Sequence, residues 1–155
     1  MGMMGGKKLG ELLVEKGLIT DRQLEQALEK QRSSREFLGL ILVSQGAVTE
    51  EGMLQALADQ FGMPFTHLAD ERVDWDAVMR LARTPLLEHQ CFPLRMDAGE
   101  VTVAIANPLD VWAISEMEKE AGFRRVRWVL MPTADILAAI AELQSRVRSS
   151  LGGAA

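Results

Sequence analysis

The chain has 155 residues, 48% of them hydrophobic and 25% charged, a balance that excludes a disordered chain and suits one domain or two small subdomains. Its formal charge of −5 at pH 7 excludes a general binder of DNA or RNA, which needs a basic face to neutralise phosphates. A single cysteine, Cys91, allows no intrachain disulfide and points to the cytoplasm; no apolar run approaches the ~18 residues of a membrane span, so direct membrane insertion is not expected.

Residues 1–6 read as a flexible end without the apolar core of a signal peptide. Residues 8–31 and 37–60 are then two copies of one 24-residue pattern, separated by five residues, with ten identical pairs. Leu9, Leu12 and Leu13 recur at helical spacing until Gly17, which suits a left-handed stop with Leu18 making the apolar contact. Thr20-Asp21-Arg22-Gln23 opens the next helix as a capping box, and Leu24, Ala27, Leu28 and Gln31 line one of its faces. The second copy repeats this with Gly46 as stop and Thr49 as N-cap, followed by Glu50 and Glu51 in the first turn. Met53, Leu54, Leu57 and Phe61 form its stripe, and Gly62-Met63-Pro64 ends it. Two repeats are too few for a self-sufficient solenoid, so the four helices must close on themselves or on the later part of the chain.

Beyond Pro64 the texture changes. Asp74 to Leu81 reads as a short capped helix, and Thr84-Pro85 as an N-cap with proline at N1 of another. Residues 91–96 and 100–106 flank the turn Asp97-Ala98-Gly99 as a hairpin, with Val101, Val103 and Ile105 on one face. Asn107-Pro108-Leu109-Asp110 starts a helix to about residue 121, closed by Gly122. Residues 125–131 form a third strand, and Thr133 or Asp135 opens a last helix to about 148, leaving 149–155 as a loose end. The expected fold class is α+β: an N-terminal four-helix tandem-repeat subdomain (7–64), then a small three-stranded α+β subdomain (65–148).

No catalytic motif is present, so an enzyme is not expected. Gly5-Gly6-Lys7-Lys8 lacks the spacing of a phosphate loop, and His67 and His89 have no companions for a metal. Cys91 reads as a buried structural thiol, the three tryptophans as core, and Arg124-Arg125-x-Arg127 as a solvated edge guard. The repeat remains. Leu9-Gly10 and Leu38-Gly39 fall at the expected first turn of their helices, where glycine lets a ligand reach unpaired N–H groups and the positive helix end favours an anion. Lys8 could pair with a phosphate, and a carboxamide at Gln31 and Gln60 offers the donor and acceptor of a purine edge. From spacing alone, close-packing glycines and solvated glutamines are the better account.

The doubled pattern resembles that of the MshEN domain, the N-terminal domain of type IV pilus and type II secretion assembly ATPases, also called the GspE N-terminal domain. The family's pattern is R-L-G-x-x-L-x10-L-x-x-x-L-x-x-Q, given twice with a five-residue spacer. Leu9, Gly10, Leu13, Leu24, Leu28 and Gln31 match the first copy; Leu38, Gly39, Leu42, Leu57 and Gln60 match the second. The stretch Val103 to Asp110 is similar to the family's strand–turn–helix. The resemblance implies a cyclic di-GMP receptor with no cofactor, each repeat cradling one half of the symmetric dinucleotide on its leucines, with the leading arginine and closing glutamine addressing guanine and phosphate. It implies an assembly ATPase or secretion and pilus platform proteins as partners; the alternative is an adaptor that docks on such a platform without the nucleotide. Four positions depart from the pattern: Lys8 and Phe37 stand for the arginines, Met53 for a leucine, and Asn107 for an aspartate.

Overall fold

The duplicated pattern dictates four helices, and the computed structural model has them: α1 (Gly2–Glu15), α2 (Asp21–Ser34), α3 (Leu38–Ser44) and α4 (Glu50–Phe61). The structure describes the backbone of residues 2–153 and the side chains of residues 9–151. Both copies stop their first helix with the same pair of hydrogen bonds. Leu18 N–H donates to the Leu13 carbonyl and Gly17 N–H to that of Val14, each at 2.9 Å; Ala47 donates to Leu42 and Gly46 to Val43, each at 3.0 Å. This closure puts one residue at positive φ, and Gly17 (71°) and Gly46 (73°) take it without the strain a Cβ would bring. The apolar contact is made one residue later than expected: Leu18 is 39% exposed, whereas Ile19 and its counterpart Val48 are buried. Both precede a threonine N-cap, the place from which a staple onto the coming helix is built.

Thr20 completes the expected capping box with Gln23. Thr49 accepts from Gly52 N–H at 3.0 Å, but glycine at that position leaves the reciprocal bond unmade. α1 packs on α3 and α4, and α2 on α1 and α3, so the pair of repeats closes on itself. Lys16, just past α1, bridges to Asp59 of α4 at 2.9 Å.

The chain divides into two compact units, Met1–Gly62 and Met63–Ala155, against an expected boundary after residue 64. The second unit holds a 3-10 turn (Leu68–Asp70), α5 (Trp75–Leu81), α6 (Thr84–Glu88), β1 (Cys91–Asp97), β2 (Glu100–Ile105), α7 (Val111–Ala121), β3 (Arg125–Leu130) and α8 (Thr133–Gly153). With the repeat helices this is the expected α+β class. The sheet order is β1-β2-β3, antiparallel between β1 and β2 and parallel between β2 and β3, where α7 makes the crossover.

Three local expectations are corrected. The hairpin turn has two residues, because Asp97 pairs with Glu100 and Ala98 (φ 35°) and Gly99 (φ 84°) make the bend, as a tight two-residue loop requires. α6 is capped by Arg83, with Thr84 and Pro85 inside its first turn. β2 has Val101, Val103 and Ile105 on one face as expected, and it buries Thr102 and Ala104 on the other as well, since a central strand is covered on both faces. Ala104 joins Phe92, Leu94 and Val129 under α5 and α8; Val101, Val103 and Ile105 face the other way, where α7 buries Ala113, Met117 and Ala121. Finally, regular helix reaches back to Gly2 and on to Gly153, further at both ends than the pattern of apolar residues indicates.

Candidate functional site

The two Leu-Gly pairs occupy different places in their helices. Leu38 and Gly39 are the first two residues of α3, after Phe37 at its N-cap. Leu9 and Gly10 are the eighth and ninth of α1, so their expected place in a first turn is corrected: their N–H groups lie where the helical ladder is already formed. Lys8 therefore stands inside a helix; its side chain lies outside the described residues.

Both glycines are explained by packing. A Cβ at Gly10 would lie 2.3 Å from Leu24 Cδ1, and one at Gly39 2.3 Å from Met53 Sδ. Leu24 and Met53 are equivalent residues of the two copies, each on the second helix of its repeat. Close approach of that helix to the Leu-Gly helix is thus the shared device, and Met53 fills the leucine's role with a longer, more adaptable chain. The copies also interlock: Leu9 Cδ2 is 3.7 Å from the same Gly39 position.

Leu9, Leu13, Leu38 and Leu42 are buried, and so are Met53 and Leu57 of the second copy. Leu24, Leu28 and Gln31 of the first copy are only half-buried. Three residues at i, i+4 and i+7 make one stripe along α2, which leaves an accessible apolar strip ending in a carboxamide. The glutamines differ. Gln31 Nε2 donates to the Glu36 carbonyl at 3.1 Å, tying the end of α2 to the spacer; Gln60 is exposed. That tie was invisible in the sequence because the chain bends back through Arg35, which ends α2 in the left-handed region at φ 59°, a place usually announced by glycine. Phe37, 38% exposed, presents its ring at the other end of the spacer.

Asn107 belongs to the second unit. Its amide oxygen accepts from Leu109 N–H at 3.0 Å, closing the turn before α7. The neighbouring Asp110 does two things: Oδ1 accepts from Ala113 N–H at 3.0 Å to cap α7, and Oδ2 meets His89 Nδ1 at 2.6 Å. Trp112 stacks on the His89 ring at 4.4 Å between centroids and is 45% exposed, so it is not the core residue expected. Cys91 is fully buried; burial first, and the charge of Asp110 second, push its thiol up to about 12. A nucleophile needs the opposite shift, and the reading as a structural thiol stands.

Among the described residues no group of three His, Cys, Asp or Glu could hold a metal ion, and no helix is long and apolar enough to cross a membrane. A groove of about 840 Å³ runs between α6 and α8. None of the candidate residues lines it.

A protein-family model described as the MshEN domain matches residues 61–150. The chain belongs to the MshEN domain family. The matched stretch falls almost wholly in the second unit, so this match rests on residues other than the tandem repeat. The type IV pilus assembly ATPase PilB of Thermus thermophilus is 34% identical over 121 residues, 77% of this chain and 14% of that protein. The curated relatives it matches are far longer than this chain, which spans 14–20% of their length. Among solved structures, MshE with cdg superposes with a TM-score of 0.79 at 28% identity, covering 87% of this chain and 97% of that one. The N-terminal domain of XpsE superposes at 0.70 and 18% identity, covering 87% and 92%, a likeness of fold. The MshEN α+β fold therefore extends over the repeats as well as the matched stretch.

Proposed function

We propose that this MshEN chain is a cyclic di-GMP receptor domain that regulates a pilus or secretion assembly ATPase from the cytoplasm and performs no chemistry itself. The observation that carries the reading is the half-buried strip Leu24, Leu28 and Gln31 on α2, set in a repeat whose turns, caps and glycine contacts recur in the second copy. A solved relative with this fold, MshE, is described with cdg. In this reading a guanine base lies on the apolar strip and the Gln31 oxygen accepts from its edge, while Lys8 neutralises a phosphate. Phe37 offers a ring to the other base in place of the family's arginine, keeping a stacking face without the charge. The first half-site is the stronger of the two.

A second reading has its own support. The acceptor that an aspartate would offer at position 107 is here an amide oxygen engaged by Leu109 N–H, and the second copy has no arginine. A chain so altered would keep the fold and act as an adaptor on a secretion or pilus platform. Titration calorimetry with cyclic di-GMP decides between them. Binding that Leu28→Glu weakens by ~tenfold or more, a loss of about 1.4 kcal/mol, with Phe37→Arg tightening it, supports the receptor. No heat and no rise in melting temperature at saturating nucleotide refutes it and leaves the adaptor.

A further inference from the structure

We propose that the open edge of β3 is a docking site for an extended acidic peptide segment of a partner protein, which would join the sheet as a fourth strand. The hydrogen-bond pattern fixes which backbone groups are on offer. Arg125 N–H donates to Gly99 and Met131 N–H to Ile105, so the odd-numbered residues of this stretch bond inward to β2. The even-numbered residues point outward. Leu130 already uses its outward groups: its N–H donates to Pro64 and its carbonyl accepts from Thr66 N–H, at 2.8 and 2.9 Å, in a parallel bridge with Phe65. The chain leaves the edge there. Val126 and Trp128 are left with outward N–H and C=O groups that bond to no described residue, a short template for one more strand.

The side chains specify what kind of strand. Arg125 and Arg127 share one face of β3, in register with Glu100 and Thr102 of β2. Arg125 is 86% exposed and meets Glu100 only at 3.7 Å; Arg127 is exposed and has no ion pair among the described residues. Among the described residues the Arg124 side chain, just before the strand, donates to the Ala121 carbonyl at 3.3 Å and makes no ion pair. On the other face Val126 and Trp128 are half-buried, ready to cover apolar side chains, and Phe123 stands fully exposed where the strand begins. An incoming strand that alternates acidic and apolar residues satisfies both faces at once. A second copy of the same edge does not. Pairing β3 with itself sets the arginines of both copies on one face, where like charges oppose.

The test uses the full chain and a fluorescein-labelled Glu-Val-Glu-Val-Glu-Val peptide, followed by fluorescence anisotropy and by amide hydrogen exchange. The Glu-Val peptide is expected to bind, to weaken with salt, and to slow exchange at Val126 and Trp128, while Lys-Val-Lys-Val-Lys-Val does not bind. Val126→Pro removes one outward N–H without touching the ladder to β2 and is expected to abolish binding. The exposed double substitution Arg125→Glu/Arg127→Glu, which leaves the core intact, is expected to exchange the preference to the Lys-Val peptide. Equal binding of the two peptides, unchanged exchange at Val126 and Trp128, or Glu-Val binding that a folded Val126→Pro retains would each overturn the proposal. So would adsorption to phosphatidylserine vesicles that needs the arginines but is indifferent to Val126→Pro, since that marks a lipid-binding patch instead of a strand edge. No outcome depends on cyclic di-GMP.

Discussion

If Gly39 exists to let α4 approach α3, then adding one methyl group there must be costly, and removing Met53 must relieve the cost. Two effects oppose each other in Gly39→Ala. Helix propensity favours alanine by about 0.8–1.0 kcal/mol. Against it, the new Cβ would lie 2.3 Å from Met53 Sδ and 3.3 Å from its Cε, where carbon contacts settle at about 3.5–4.0 Å. Met53 is buried, so it must move by more than ~1 Å within a packed interior, a strain of roughly 1–3 kcal/mol. The net expectation is a loss of about 0–2 kcal/mol in urea unfolding. Gly10→Ala should cost less, because Leu24 is half-buried and its clashing Cδ1 can swing toward solvent. Met53→Ala alone leaves a cavity worth about 2–5 kcal/mol, and in the double substitution the new methyl fills part of it. The double mutant should therefore be more stable than the sum of the singles by ~1 kcal/mol or more, well outside the roughly 0.3–0.5 kcal/mol of independent sites. An additive cycle, or two glycine variants stabilised by their full helix propensity, would refute packing as the reason for these glycines and return them to a role in ligand approach.

Replacing Thr20 or Thr49 by alanine should each cost about 1 kcal/mol, the Thr20 variant more, because only Thr20 has a reciprocal bond from Gln23; thermal unfolding checks the order. Gln31→Ala should lose about 0.5–1.5 kcal/mol with its bond to the Glu36 carbonyl, whereas the equivalent change at the exposed Gln60 should leave the unfolding midpoint where it is. The Cys91 thiol is held up to about 12 from a usual 9.0, so the unfolded chain ionises first as pH rises. Stability should be unaffected below about pH 9 and fall above it by about 1.4 kcal/mol per pH unit until the folded thiol titrates; unfolding from about pH 8 to 11 with Cys91→Ala as control measures this, and an equal slope in the variant rules the cysteine out as its cause.

Local chemistry was legible in the residues themselves. Gly17 and Gly46 stop their helices because only glycine takes that φ without strain, Thr20, Thr49, Asp74 and Asp110 cap the helices after them, and β2 and β3 announce themselves by their β-branched residues. The doubled pattern was legible too, and with it the α+β class and the family. Position within three dimensions was not. Whether Leu9-Gly10 begins a helix depends on how far helix extends before it, and the apolar period is silent over M-G-M-M-G-G-K-K. The partners of the repeated glycines, Leu24 and Met53, come from neighbouring helices fourteen residues along the chain, and only packing brings them together. Gln31 reads as a ligand group in a linear motif, yet the fold also turns its amide onto the Glu36 carbonyl. Trp112 reads as core by its neighbours, but the helix phase set by the Asp110 cap leaves it on the surface against His89. Caps, stops and periodicity act over a few residues, so the linear order of the chain settles which elements form and that one unit occurs twice. Burial depends on contacts between residues far apart along the chain, so which face of each helix is covered, and which strand edge stays open, emerges only once the elements pack.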